Sequence, residues 1–188
     1  MCCTWVCGAV AGDLHDRGVD APGAGPELEF DAVLVRRLVH RYLKVVADAA
    51  AGRPVPRTWR LLLDPPAAPP PRLALAGVAT LLGYDLTLAF ASTCTVLGRA
   101  PGTRERAAHG RVAALVGARA GELVRLTGGP ADVAAAARLD TRARHEAARR
   151  RGECLWTLRG RPVEAAAERD ALDTETHAAA LRQLAGEG

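Results

Sequence analysis

The feature that most constrains this chain is the run from Leu73 to Leu97, LALAGVATLLGYDLTLAFASTCTVL, twenty-five residues whose only charged member is Asp85. An amphipathic surface helix would show a polar face at a period of about 3.6 residues, and this run shows none. It therefore reads as a helix buried nearly all round, from about residue 72 to 98, with other helices wrapped about it. A membrane span is the rival reading, since spans begin at about 18 to 20 apolar residues and Arg72 and Arg99 bracket this one. Two things weigh against it: a mid-span carboxylate is costly, and Gly77, Thr80, Gly83, Thr87, Ser92, Thr93 and Thr95 dilute the run.

The flanking segments supply the partners such a helix needs. Between Leu28 and Ala51 the apolar residues Leu34, Val35, Leu38, Val39, Tyr42, Val45, Val46 and Ala49 recur at intervals of three and four. Arg37, Arg41, Lys44 and Asp48 fall on the other face. A short helix follows Pro56, with Trp59 as a core plug. Pro65, Pro66, Pro69, Pro70 and Pro71 form a stiff connector that forbids helix before Arg72. A helix starting near Thr103 carries the stripe Val112, Leu115, Val116, Leu123 and Leu126 and stops at Gly128, Gly129 and Pro130. The next runs from Ala131 to about Arg159, with Gly152 as its expected kink, and a last helix opens at Pro162 with Leu181 and Leu184 as a thin apolar edge. No segment alternates with period two, so the fold class is all-α: a bundle of five or six helices. Residues 1–27 read as an irregular or disordered leader and 28–186 as a single helical domain.

Composition excludes some functions. A formal charge of +4, from 25 basic and 21 acidic residues with few aromatics, is mixed and modest, so no nucleic-acid partner is implied. Cys2, Cys3, Cys7, Cys94 and Cys154 are odd in number and follow no secretory signal, which points to reduced thiols in a cytoplasm. Cys2, Cys3 and Cys7 with His15 lack zinc spacing, and no metal or cofactor is expected. No dinucleotide, phosphate-loop, nucleophile-elbow or zincin motif occurs. His15, His40, His109, His145 and His177 fall in the leader or on polar faces and read as solvated.

The motifs VHRYLKVV (39–46), GRPVPRTWRLLLD (52–64), LAGVATLLGYDL (75–86) and RRRGECLWTLRG (149–160), in that order, resemble an actinobacterial family of helical proteins known only as a domain of unknown function. The family's central helix reads H-x-x-x-G-M-N-A-H-I-N-x-D-L. Laid on this chain, the glycine falls on Gly77 and the aspartate on Asp85. The two histidines fall on Leu73 and Leu81, and the second asparagine on Gly83. The resemblance thus implies a divergent member without the motif histidines. His and Asp four residues apart on one helix can share a metal or a proton, whereas Leu81 and Asp85 cannot.

Asp85 is the candidate site residue, because a carboxylate in so apolar a run must be paired, hydrogen-bonded or protonated. In one reading it is a general acid or base in a pocket lined by Thr80, Leu81, Tyr84 and Leu88. That pocket takes a hydrophobic small molecule, as in a metal-independent, cyclase-like enzyme of specialised metabolism. In the other it is half of a buried ion pair with one of the arginines, within a non-catalytic binding or accessory protein.

Overall fold

The computed structural model describes residues 8–10, 12–13 and 25–186 of the 188-residue chain, and the side chains of residues 26, 27 and 131–143 are outside the description. Cys2, Cys3, Cys7 and His15 therefore lie outside the described residues. The described part is all α, with no strand. Its helices are α1 (Pro26–Ala50), α2 (Arg57–Leu63), α3 (Pro70–Thr80), α4 (Leu86–Val96), α5 (Thr103–Leu126), α6 (Ala131–Thr157) and α7 (Pro162–Ala185). A five-residue π turn, Leu81–Asp85, joins α3 to α4 without a break in helical backbone angles, so residues 70–96 form one continuous rod. Counted that way the bundle has six rods, and the expected central helix is its axis.

The rod is long and apolar enough to cross a membrane, but 83% of its most apolar 18-residue window is buried inside the protein. Its N-terminal half, α3, packs between α5 and α7, and its C-terminal half, α4, between α1 and α6. The polar residues that dilute the run are satisfied within it: the hydroxyls of Thr80, Thr87, Thr93 and Thr95 donate to the carbonyls of Ala76, Gly83, Ala89 and Ala91, four residues back. This is how a buried helix keeps threonine without unpaired hydrogen-bonding groups. The core around the rod is built from Phe30, Leu34, Leu38, Trp59, Phe90, Val112, Val116 and Leu155 among others.

Several local expectations are corrected. The proline connector does not delay the rod to Arg72, because Pro70 and Pro71 occupy its first turn, where the missing N–H has no helical partner to lose. Gly152 does not kink α6, which runs unbroken to Thr157. The residue instead permits close approach to α4: a Cβ there would lie 2.9 Å from Phe90 Cδ1 and 3.1 Å from the Thr87 carbonyl oxygen. Leu126, Leu181 and Val46 are 67%, 42% and 38% exposed, so the stripes of α1, α5 and α7 are narrower than their periodicity suggests. Within residues 1–27, Val10 packs into the core and the Asp13 carboxylate pairs with Arg119 at 2.5 Å.

Candidate functional site

Asp85 closes the π turn and has no exposed surface. An extra residue in one helical turn shifts the face presented by everything after it, and such turns recur at functional positions. Both carboxylate oxygens are engaged. Oδ2 accepts the indole N–H of Trp59 at 2.8 Å, and Oδ1 accepts the Nε–H of Arg41 at 3.2 Å. Burial pushes the carboxyl up to about 6, while the nearby Arg41 charge and the two hydrogen bonds pull the other way.

The donors are held by their own elements. Trp59 lies on α2, its ring centroid 5.6 Å from that of Tyr42 on α1. Helix α2 has only seven residues, and Pro56 at its N-cap offers no side-chain acceptor. The acceptor comes from α7 instead. Asp173, itself buried, takes the backbone N–H groups of Arg57 at 2.9 Å and Thr58 at 3.1 Å. Thr58 and Thr80 share a buried hydroxyl–hydroxyl bond of 3.2 Å, which ties α2 to α3 one turn before Asp85. Arg41 lies over the Tyr84 ring, 5.6 Å from its centroid.

From Asp85, Arg41 leads outward. Its side chain is 30% exposed, and it lines a cavity of about 740 Å³ beside α1. The other walls are Val33, Arg36, Arg37, His40, Lys44, Val45 and Asp48 of α1, Pro54 and Pro56 of the following turn, and Ser92 and Val96 of α4. The face of α1 expected to be simply polar is therefore the cationic wall of a concavity. Its one carboxylate, Asp48, is already paired with Lys44 at 2.5 Å and with Arg53 at 2.7 Å. Those two hydrogen bonds hold its carboxyl below the usual range.

Thr80, Leu81, Tyr84 and Leu88 are all buried, and none of them lines this cavity. Burial also raises the Tyr84 phenol above its ordinary value. The structure thus places the expected residues in the packed interior, with the open space one arginine away from Asp85.

His109 departs most from expectation. It is not solvated but wholly buried, edge-on to Phe90 at 5.1 Å between ring centroids and 6.1 Å from the ring of His145. Neither of its ring nitrogens has a hydrogen-bond partner among the described residues. Burial, aided by the neighbouring His145 and Arg149, lowers it to about 3, so the ring is neutral. Its signal was present in the sequence: His109 precedes Val112 by three and Val116 by seven, one turn back along the same stripe.

Among the described residues no group of three or more His, Cys, Asp or Glu side chains is placed to hold a metal. Cys94 and Cys154 are free thiols, and burial pushes that of Cys94 up to about 12, leaving it protonated and unreactive. No curated protein and no solved structure shows significant similarity to the chain. Residues 32–184, which include Asp85, Arg41, Trp59 and the cavity, match the model of DUF5995, a family of unknown function, and the chain belongs to that family.

Proposed function

We propose that this protein is a non-catalytic binding bundle that holds a small molecule with a substantial apolar body in the cavity beside α1, and that Asp85 serves it as a positioning residue. One observation carries the reading: the carboxylate is fully buried with both oxygens engaged, and the arginine it holds lines a cavity of about 740 Å³. That volume lies in the usual range for small-molecule sites, about 300–1,000 Å³. A general acid or base must come within hydrogen-bond reach of the substrate, directly or through one water. Asp85 reaches Trp59 and Arg41, and the cavity begins on the far side of Arg41. Val33, Val45, Val96, Pro54 and Pro56 supply the apolar walls. With the central rod consumed as core and Cys94 and Cys154 as free thiols, the protein works in this reading as a soluble cytoplasmic one.

The test is to denature freshly purified full-length protein and search the extract by mass spectrometry for a stoichiometric small molecule, then to repeat with Asp85→Asn. The expected result is a bound compound that the variant, still folded, retains less well because Arg41 is no longer fixed. A compound chemically converted by the wild type and left unchanged by Asp85→Asn would replace this reading with the enzymatic one.

A further inference from the structure

The walls of the cavity say more about the ligand than its volume does. Five basic side chains of α1, Arg36, Arg37, His40, Arg41 and Lys44, converge on one concavity. Lys44 is answered by Asp48 and Arg41 by Asp85. Arg36 and His40 have no ion pair or side-chain hydrogen bond among the described residues. Arg37 has only the Ser92 hydroxyl, at a long 3.5 Å, and its Nε is buried without an acceptor. Like charges four residues apart on a helix, as Arg37 and Arg41 are, repel, and a desolvated guanidinium N–H without an acceptor costs further stability. Both costs fall away when an acceptor of negative charge enters. Guanidinium groups present several N–H donors in a planar fork that fits the oxygens of a phosphate or carboxylate. Inorganic phosphate alone would leave most of the cavity empty and Val33, Val45 and Val96 without a partner.

Resting on the small-molecule reading above, we infer that the ligand is an amphiphilic oxyanion, a phosphate or carboxylate head held by Arg36, Arg37 and His40 with an apolar body lying on Val33, Val45 and Val96. Arg41, fixed from behind by Asp85, adds its remaining N–H groups to the same head. No Phe, Tyr or Trp lines the site, so it lacks the row of large aromatic platforms on which single-stranded nucleic acid is stacked.

Calorimetric titration of the full-length protein with octyl phosphate, octanoate, octanol and inorganic phosphate tests this. Octyl phosphate or octanoate is expected to bind at least tenfold more tightly than both octanol and inorganic phosphate. Raising the salt concentration should weaken the octyl anions and not octanol. Replacing both Arg36 and Arg37 by Gln, in a protein of unchanged melting temperature, should cost at least tenfold for the anions and leave octanol unaffected. Should the double variant fold poorly, Arg36→Gln alone, at an exposed position, is the comparison. Octanol binding as tightly as the anions would overturn the oxyanion inference while leaving a small-molecule cavity. Inorganic phosphate equalling octyl phosphate would overturn the apolar part, and anion binding indifferent to Arg36 and Arg37 would overturn the site.

Discussion

Among the described residues Asp85 and His109, an acid and a base, are both completely buried, and they are treated in opposite ways. Asp85 has an indole N–H and a guanidinium, and through Arg41 it is connected to a cavity. His109 sits among Phe90 and His145 with no described partner for either nitrogen. A charge that is kept must be answered, whereas a ring that can give up its proton is allowed to stand neutral in an apolar wall. A polar group held at a cost and connected to open space is a better candidate for function than one merely tolerated by packing, and this places the working part of the bundle on the Asp85 side.

The two groups also predict opposite pH behaviour, and this is the largest effect by which the comparison can be broken. Asp85 is raised from 3.8 to about 6, so the stability attached to its neutral form is full below 3.8 and is lost as pH rises through about 6. His109 is lowered from 6.5 to about 3, so its contribution is full above 6.5 and is lost as pH falls towards 3. Each slope is about 1.4 kcal/mol per pH unit, and between 3.8 and about 6 they oppose one another. Urea denaturation across that window should therefore separate the variants. His109→Leu should lose about 3 kcal/mol as pH rises and Asp85→Asn should gain about 3 kcal/mol, each relative to wild type. Parallel profiles for the two variants would show that at least one group is not held as described.

Legibility in the sequence followed the same divide. Hydrophobic spacing was enough for the central rod, for Trp59 as a core residue and for the all-α class, because burial of stripes is what sets those features. An arginine partner for Asp85 was foreseeable from charge balance. That it is Arg41, 44 residues away, depends on how α1 crosses α4, and periodicity carries no crossing information. The π turn was invisible, since it amounts to a bond from the Leu86 N–H to the Leu81 carbonyl in residues that look like any apolar helix. The cavity was missed because Arg36, Arg37 and Lys44 have the spacing of a solvated face, and only the neighbouring Ser92 and Val96 turn that face into a wall. His109 was readable from its spacing to Val112 and was passed over because histidine is usually found on wetter faces.

At neutral pH the comparison becomes one of size. Asp85→Asn leaves Trp59 and Arg41 with one neutral acceptor in place of a carboxylate. Burial outweighs the two hydrogen bonds in setting the Asp85 carboxyl, so its ionised form is held at a cost; with the 30% exposed Arg41 hydrated once freed, the substitution should raise stability by about 2–3 kcal/mol. His109→Leu removes two unanswered nitrogens at similar volume and should raise stability by about 1 kcal/mol. Thermal or urea unfolding at pH 7 measures both. Destabilisation by His109→Leu would mean that the ring has a partner of its own, and destabilisation by Asp85→Asn that the Arg41 pairing outweighs the cost of burial.

The smallest effect concerns Tyr84, which the sequence offered as a ligand contact and the structure places within the π turn beneath Arg41, 8% exposed. Its ring, not its hydroxyl, faces the guanidinium at 5.6 Å, and a cation over an aromatic face in a partly wet setting is worth about 0.5–1 kcal/mol. Tyr84→Phe keeps that ring, so stability should stay within about 0.5 kcal/mol and retention of octyl phosphate should be unchanged. Tyr84→Leu removes the ring and should cost about 1 kcal/mol, with a modest loss of retention as Arg41 gains freedom. A tenfold fall in retention on Tyr84→Phe, with unfolding unaltered, would put the ligand against the phenol hydroxyl. The binding site would then shift from the cationic wall of α1 to the buried residues of the central rod: Thr80, Leu81, Tyr84 and Leu88.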